Sequence, residues 1–334
     1  LKGGRCPFLN EKNLCNIYIH AGEKHLSETC TIYPRRFNRV DNRFERSASI
    51  SCPEIARKAL LNPNGIVFEE ADIEIKPRTL VSRTIHIEEL AQKYGTYFWN
   101  IRLFSLDLLQ NRAYDLSDRL VLLGIVFQRI MALETSDEVD KIPSLLENIS
   151  GMIERGEFQE QLQSIPVNIQ TQFQLAKELT EQKNITGITS ERYKDCVKDM
   201  LVGLGFAEGN TYEEVLKRYE LAHERFYLPY MKDRAYILEN YIVNEFFRNV
   251  MPFENSKTMW ESYVFICFLY SMVKLNLIGM SASSEGLSDE SVIKCIQSLS
   301  KTVLHNTAYI KRMIDLLTDN GYDTLGYMSI LVKN

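Results

Sequence analysis

From Ile87 onward apolar residues recur every three to four positions, a period that predicts a body of amphipathic helices. The first covers roughly Ile87 to Ala113, where Tyr97, Phe98, Ile101, Phe104, Leu108 and Leu109 share one face. A second follows Asp115 or Ser117, either of which can cap it, and carries Leu120, Leu123, Phe127 and Ile130. Helical patterns continue over 138–155, 166–183, 190–203, 233–250, 256–279, 288–301 and 304–318. At Thr211 the run Thr-Tyr-Glu-Glu sets Thr and Glu three apart, a capping box that opens another helix. The βαβ alternation of a doubly wound sheet is missing. The longest apolar stretch runs from Tyr263 to Gly279 and is interrupted by Lys274. It falls short of the ~20 apolar residues that span a bilayer, so a buried core helix is expected and membrane insertion is not.

Ahead of residue 86 this period stops. From Leu1 to about Pro53 the chain holds turn residues, cysteines and arginines without a sustained pattern, which predicts a loop-rich segment organised by something other than a large core. A short helix is predicted from Pro53, which suits a first helical position, to Asn62-Pro63. Ile66-Val67-Phe68 and the alternation of Ile73, Ile75 and Arg78 then suggest extended chain. The expected fold is therefore mainly α, in three parts. Residues 1–62 form a cysteine-rich, loop-rich, metal-binding segment, expected to be incomplete at its N-terminal end. Residues 63–85 form a linker or short strands, and 86–334 an all-helical domain.

Composition narrows the classes. The 334 residues are 45% hydrophobic with a net charge of −5, as in an ordinary globular chain. Residues 1–58 nevertheless hold 11 Lys and Arg against 6 Asp and Glu, which favours an anionic ligand near the front. The chain as a whole lacks the basic excess of a nucleic-acid binder, so no nucleic-acid partner is expected. Seven cysteines, an odd number, with no signal peptide at the start fit a reducing cytoplasm better than a secreted disulfide framework.

Four of those cysteines, Cys6, Cys15, Cys30 and Cys52, crowd into the first 52 residues, whereas Cys196, Cys267 and Cys295 are scattered through helical patterns. Thiolates can hold zinc or an iron–sulfur cluster, but these gaps are not compact C-x-x-C pairs, so buried structural thiols fit the spacing equally well. Arg35, Arg36, Arg39, Arg43 and Arg46 lie beside them and could balance thiolate charge or clamp an anion; a solvated basic surface is the plainer alternative. Leu201–Gly209 superficially resembles a glycine-rich nucleotide loop, yet a helix precedes it where a strand is needed, so glycine caps are expected. The aromatic runs at 94–104 and 226–230 suit core more than a pocket, and His305 suits a cap or core position. Ser/His/Asp order, H-E-x-x-H and a P-loop lysine are all missing, which leaves hydrolase and kinase classes unsupported.

The string CPFL…LC…TCTIYPR, followed by Glu45-Arg46-Ser47 and Ser51-Cys52-Pro53-Glu54, resembles the bacterial flagellin lysine-N-methylase family. The resemblance continues at Phe98-Trp99-Asn100-Ile101-Arg102, Leu109-Gln110-Asn111-Arg112, Arg119-Leu120 and the run Leu238–Asn249, and returns near His305-Asn306. It implies a protein-lysine methyltransferase that uses S-adenosylmethionine to modify flagellin, with an iron–sulfur cluster on Cys6, Cys15, Cys30 and Cys52; zinc is the alternative metal. The family carries a further cysteine-rich stretch upstream, ending in a Cys-Cys pair, that would precede Leu1. A methylase must take its lysine, pKa near ~10.4, as the neutral amine. Tyr94, Tyr97, Tyr227, Tyr230 and Glu239 are candidates for that pocket, and Arg35 and Arg46 for binding the methyl donor. A helical binding module with a structural zinc or iron site, or a metal-delivery protein, would share the cysteines without methyl transfer.

Overall fold

The computed structural model describes residues 6–72, 79–174, 190–206, 210–254, 258–304 and 306–333. Two short helices, α1 (Asn16–Ala21) and α2 (Glu28–Ile32), lead into an antiparallel hairpin of β1 (Arg35–Val40) and β2 (Arg43–Ala48). Helix α3 (Pro53–Leu60) follows, with Pro53 in its first turn as expected. Strand β3 (Val81–Ile85) then lies parallel to β1, giving the sheet order β2-β1-β3.

The hairpin corrects the loop-rich expectation for the front segment. Its inward face carries Asn38, Val40 and Glu45, all buried, so polar residues occupy positions where a strand usually shows apolar alternation. Asp41 adopts a left-handed backbone, φ 49°, in the turn, and its carboxylate accepts the Ile87 N–H at 3.0 Å. The alternation at Ile73, Ile75 and Arg78 lies outside the described residues.

The body comprises α4 (Phe98–Gln110), α5 (Leu116–Thr135), α6 (Ile142–Glu154), α7 (Gln159–Ser164), α8 (Glu191–Leu204) and α9 (Tyr212–Ala222). After a π-helical turn at His223–Tyr227 come α10 (Leu228–Met231), α11 (Tyr236–Arg248), α12 (Met259–Ser283), α13 (Asp289–Val303), α14 (Thr307–Asp319) and α15 (Leu325–Val332). The first long helix begins later than its period suggests, because two 3₁₀ turns, Ile87–Glu89 and Lys93–Tyr97, precede it. Gly95 lies within the second turn, where a Cβ would stand 2.8 Å from Leu90. The predicted capping box at Thr211 and Glu214 is formed. Residues 169–174 are helical, and the rest of the 166–183 pattern lies outside the described residues.

Helix α12 is the axis of the fold. It packs against α5, α8, α9, α11, α13, α14 and α15, so its apolar window is buried on every side although it is long and apolar enough to cross a membrane. The front segment joins the same core through Val40, Ile50, Ala56, Leu60 and Ile85. Helix α3 packs on α11 and α13, and β2 packs on α11.

Candidate functional site

The motif residues of the front and the body meet as ion pairs. Arg102 on α4 grips Glu45 on β2 with two parallel bonds, Nε–Oε1 at 3.1 Å and Nη2–Oε2 at 2.7 Å. It also donates to the carbonyls of Met251 and Phe247 at 2.8 and 3.0 Å. Both groups are buried. Burial pushes the Glu45 carboxyl upward and the facing Arg102 opposes it. Glu239 on α11 accepts from Arg112 Nη2 and Arg119 Nη1, each at 2.8 Å.

Around these pairs, side chains hold the backbone that follows α3. Asn240 donates to the carbonyls of Ala59 and Asn62 at 2.9 and 2.8 Å. Arg112 donates to Pro63 O at 2.7 Å, and Gln110 to Ile66 O at 2.8 Å. Asn62 closes the turn onto Gly65 O at 2.6 Å, and Gly65 takes the left-handed φ of 85° that the turn needs. Residues 59–66 are thus a strap fixed to α4 and α11.

Strap, β2, α3 and α11 line an open cleft of about 460 Å³, within the range of small-molecule sites by volume. Ile55, Ala59, Ile66, Phe68 and Phe247 supply its apolar wall, with the two phenyl rings 4.7 Å apart. Arg46 and Lys58 add positive charge, and among the described residues no Asp or Glu lines it. Asn244 donates through Nδ2 to Ala48 O at 3.2 Å, while its Oδ1 is buried without a donor. Ser47 Oγ is also buried and unpartnered. Behind β1 lies more positive charge: burial and the flanking Arg248 and Arg83 bring Arg36 down to about 10.

Of the residues expected from sequence, Arg46 lines the pocket, and Glu239 stands behind the strap as an ion-pair anchor, with Oε1 3.5 Å from where a Gly65 Cβ would be. Arg35 is exposed at the start of β1. Tyr94 is buried, accepts the Met259 N–H at 3.3 Å, and has its pKa pushed up to about 12 by burial. Tyr97 packs on the core. Tyr227 stacks on His223 at 5.5 Å, and Tyr230 donates to Asp289 at 2.7 Å. The four tyrosines do not line this pocket.

Cys6 and Cys15 are half-buried, Cys30 exposed and Cys52 half-buried, whereas Cys196, Cys267 and Cys295 are buried. Among the described residues no three His, Cys, Asp or Glu side chains gather as metal ligands. Tyr33, near the end of α2, lies 3.4 Å from Ser51 beside Cys52. In Leu201–Gly209, Gly205 is the left-handed cap of α8; 207–209 and His305 lie outside the described residues. Sequence reasoning missed Ser47, Lys58, Phe68, Asn244 and Phe247 as pocket residues. Ser47, Asn244 and Phe247 stand inside the quoted motifs, but a linear string gives no direction for a side chain.

Comparison with known proteins agrees with the family resemblance. A family described as the FliB lysine N-methylase C-terminal domain matches residues 102–331. A lysine-N-methylase of Salmonella choleraesuis is 20% identical over 316 residues, 92% of this chain and 75% of that protein. The lysine-N-methylase of Salmonella typhimurium gives the same identity and coverage. The flagellar biosynthetic protein FliU of Salmonella muenchen is 36% identical over 67 residues, 20% of this chain and 40% of that protein. No solved structure matches.

Proposed function

The chain belongs to the FliB lysine N-methylase family, and from that premise we propose that it transfers methyl groups from S-adenosylmethionine to lysine side chains of flagellin. The observation that supports this placement of the reaction is the pocket itself, because residues of the motifs that carry the resemblance build its wall and hold its strap. The donor, when bound, supplies an electrophilic methyl group. Phe68 and Phe247 would pack against it.

The acceptor lysine must present a free electron pair. An ammonium has none, and its ordinary pKa of ~10.4 leaves it protonated at neutral pH. Arg46 and Lys58 beside the pocket disfavour a third positive charge, although Glu54 lies 4.0 Å from Lys58 and offsets part of it. Because both are exposed, their effect is modest, of order 1 kcal/mol per charge at ~4 Å in water. Two such charges lower the amine pKa by only ~1–2 pH units and leave it mostly protonated at neutral pH, so removal of the proton calls for a further group.

The resemblance also implies an iron–sulfur cluster on Cys6, Cys15, Cys30 and Cys52. The described residues do not assemble a set of ligands for it, and no step is derived through it. The test is one preparation, purified without oxygen and incubated with flagellin and S-adenosylmethionine. Peptide mass spectrometry should find lysines heavier by whole methylene units, and the iron content of the same sample reports on the cluster. Unmodified flagellin in the presence of bound donor would overturn the catalytic proposal and leave a binding module.

A further inference from the structure

We propose that the inner face of the sheet carries a second binding site, in which the Arg36 guanidinium grips a carboxylate monoanion. Arg36 and Asn38 alternate onto that face of β1. Arg83 stands beside Asn38 on β3, and Asn38 donates to the Arg248 carbonyl at 3.0 Å, so three arginines gather around one asparagine. Two of them are matched: Arg248 clamps Glu245, Nη2–Oε2 at 2.6 Å, and Arg83 reaches Glu254 at 3.4 Å. Arg36 has neither a hydrogen bond nor an ion pair among the described residues. Its Nε is shut off from water without an acceptor, while the side chain as a whole is only half-buried, so Nη1 and Nη2 still reach solvent.

Charge decides what fits there. Arg36, Arg83 and Arg248 share this region with Glu245 and Glu254, an excess of one positive charge. Burial and the two flanking guanidiniums lower Arg36 to about 10, which leaves it charged at neutral pH. A single negative charge balances the group, whereas a phosphate dianion would overshoot it beside two glutamates. The free Nη1 and Nη2 offer an end-on fork that both oxygens of a carboxylate can accept, which a spherical chloride cannot use. Arg35, one residue earlier, points to the other face of the strand and is exposed, an ordinary solvated charge. Arg36 does not line the cleft, although its cross-strand partner Ser47 does. The site therefore stands independently of the donor-site reading.

Thermal unfolding of the full chain in sodium acetate, sodium phosphate and sodium chloride at matched ionic strength tests this. Acetate should raise the midpoint above its value in chloride, because an anion bound only by the folded state stabilises it. Excluded salts also stabilise folded proteins in general, so only the part of each gain that Arg36→Gln removes is counted. Arg36→Gln deletes a charge that repels two others, and in chloride it should unfold no earlier than the unaltered chain. In the same variant the affinity for acetate, read from the midpoint against concentration, should fall at least about tenfold, the loss of a charge-assisted pair. Arg36→Lys, which keeps the charge without the fork, should lose most of the gain, and Arg35→Gln should keep it. Titration with the α-amide of N-acetylglutamate separates the sources of the carboxylate: a gain equal to that from acetate points to an acidic side chain of a bound protein, and a gain from acetate alone to a small free acid. An acetate gain that survives Arg36→Gln, equal midpoints in acetate and chloride, or a lower midpoint of Arg36→Gln in every salt would overturn the site. A gain from phosphate that depends on Arg36 and exceeds that from acetate would overturn the choice of a monoanion.

Discussion

Lys274 shows how much one residue's behaviour depends on what surrounds it. In the sequence it is a lone charge in an apolar run; in the fold it is 4% exposed, with its ammonium 5.4 Å from the centre of the Tyr270 ring. Burial lowers its pKa from 10.5 to about 7, with Asp115 opposing the shift. His223 is held at about 4 by burial and by Lys274. Both are bases with depressed values in the folded state, so the unfolded chain binds more protons between the folded and ordinary values. Stability should therefore rise with pH from about 7 to about 10 on account of Lys274, and fall from 6.5 towards about 4 on account of His223. Urea unfolding followed between pH 7 and 10 checks the first window. Lys274→Met should flatten the rise and stabilise the protein at pH 7, and an unchanged slope would place the titrating group elsewhere.

Among the elements, the crossing of α8 and α12 is the tightest contact. A Cβ on Gly203 would stand 2.0 Å from the Gly279 carbonyl oxygen and 2.7 Å from Ser283 N, both backbone atoms that cannot rotate away. Gly203→Ala should therefore force the helices apart and destabilise the protein by about 1–3 kcal/mol, as overpacking does. Gly326→Ala is the control, since its nearest atom would be 3.9 Å away and alanine favours helix. A comparable fall in thermal midpoint for both variants would show that the crossing is not the cause. The helices themselves were legible because their signals are local: the capping box at Thr211 and Pro53 opening α3 stand in the fold, while Asp115 takes the N-cap position of α5 without a side-chain cap. The hairpin was not, because Asn38 and Glu45 are buried through distant partners, Arg248 O at 3.0 Å and Arg102 at 2.7 Å, instead of through apolarity.

Across the whole molecule, Glu239 connects the front of the chain to its body. It is buried between Arg112 and Arg119, and Arg112 passes the restraint to the strap through Pro63. Glu239→Gln would leave the buried Arg119 without its counter-charge, a loss of about 3–5 kcal/mol. Chemical denaturation should show that loss, together with weaker ligand binding once the strap is released. Unchanged stability would mean that water or another group replaces the carboxylate.

The sequence by itself determined the helical body, the buried central helix and the family resemblance, because period, caps and motif strings are properties of neighbouring residues. Of its candidates Arg46 lines the pocket, whereas Glu239, expected in it, is an ion-pair anchor outside the lining, and the remaining lining was not legible. Those depend on pairings across 57 residues for Glu45 and Arg102, 127 for Arg112 and Glu239, and 196 for Ala48 and Asn244. Only the tertiary structure decided which polar side chains would be satisfied by the protein and which would face the pocket, since a hydrogen bond needs both partners in place and a linear string names one at a time.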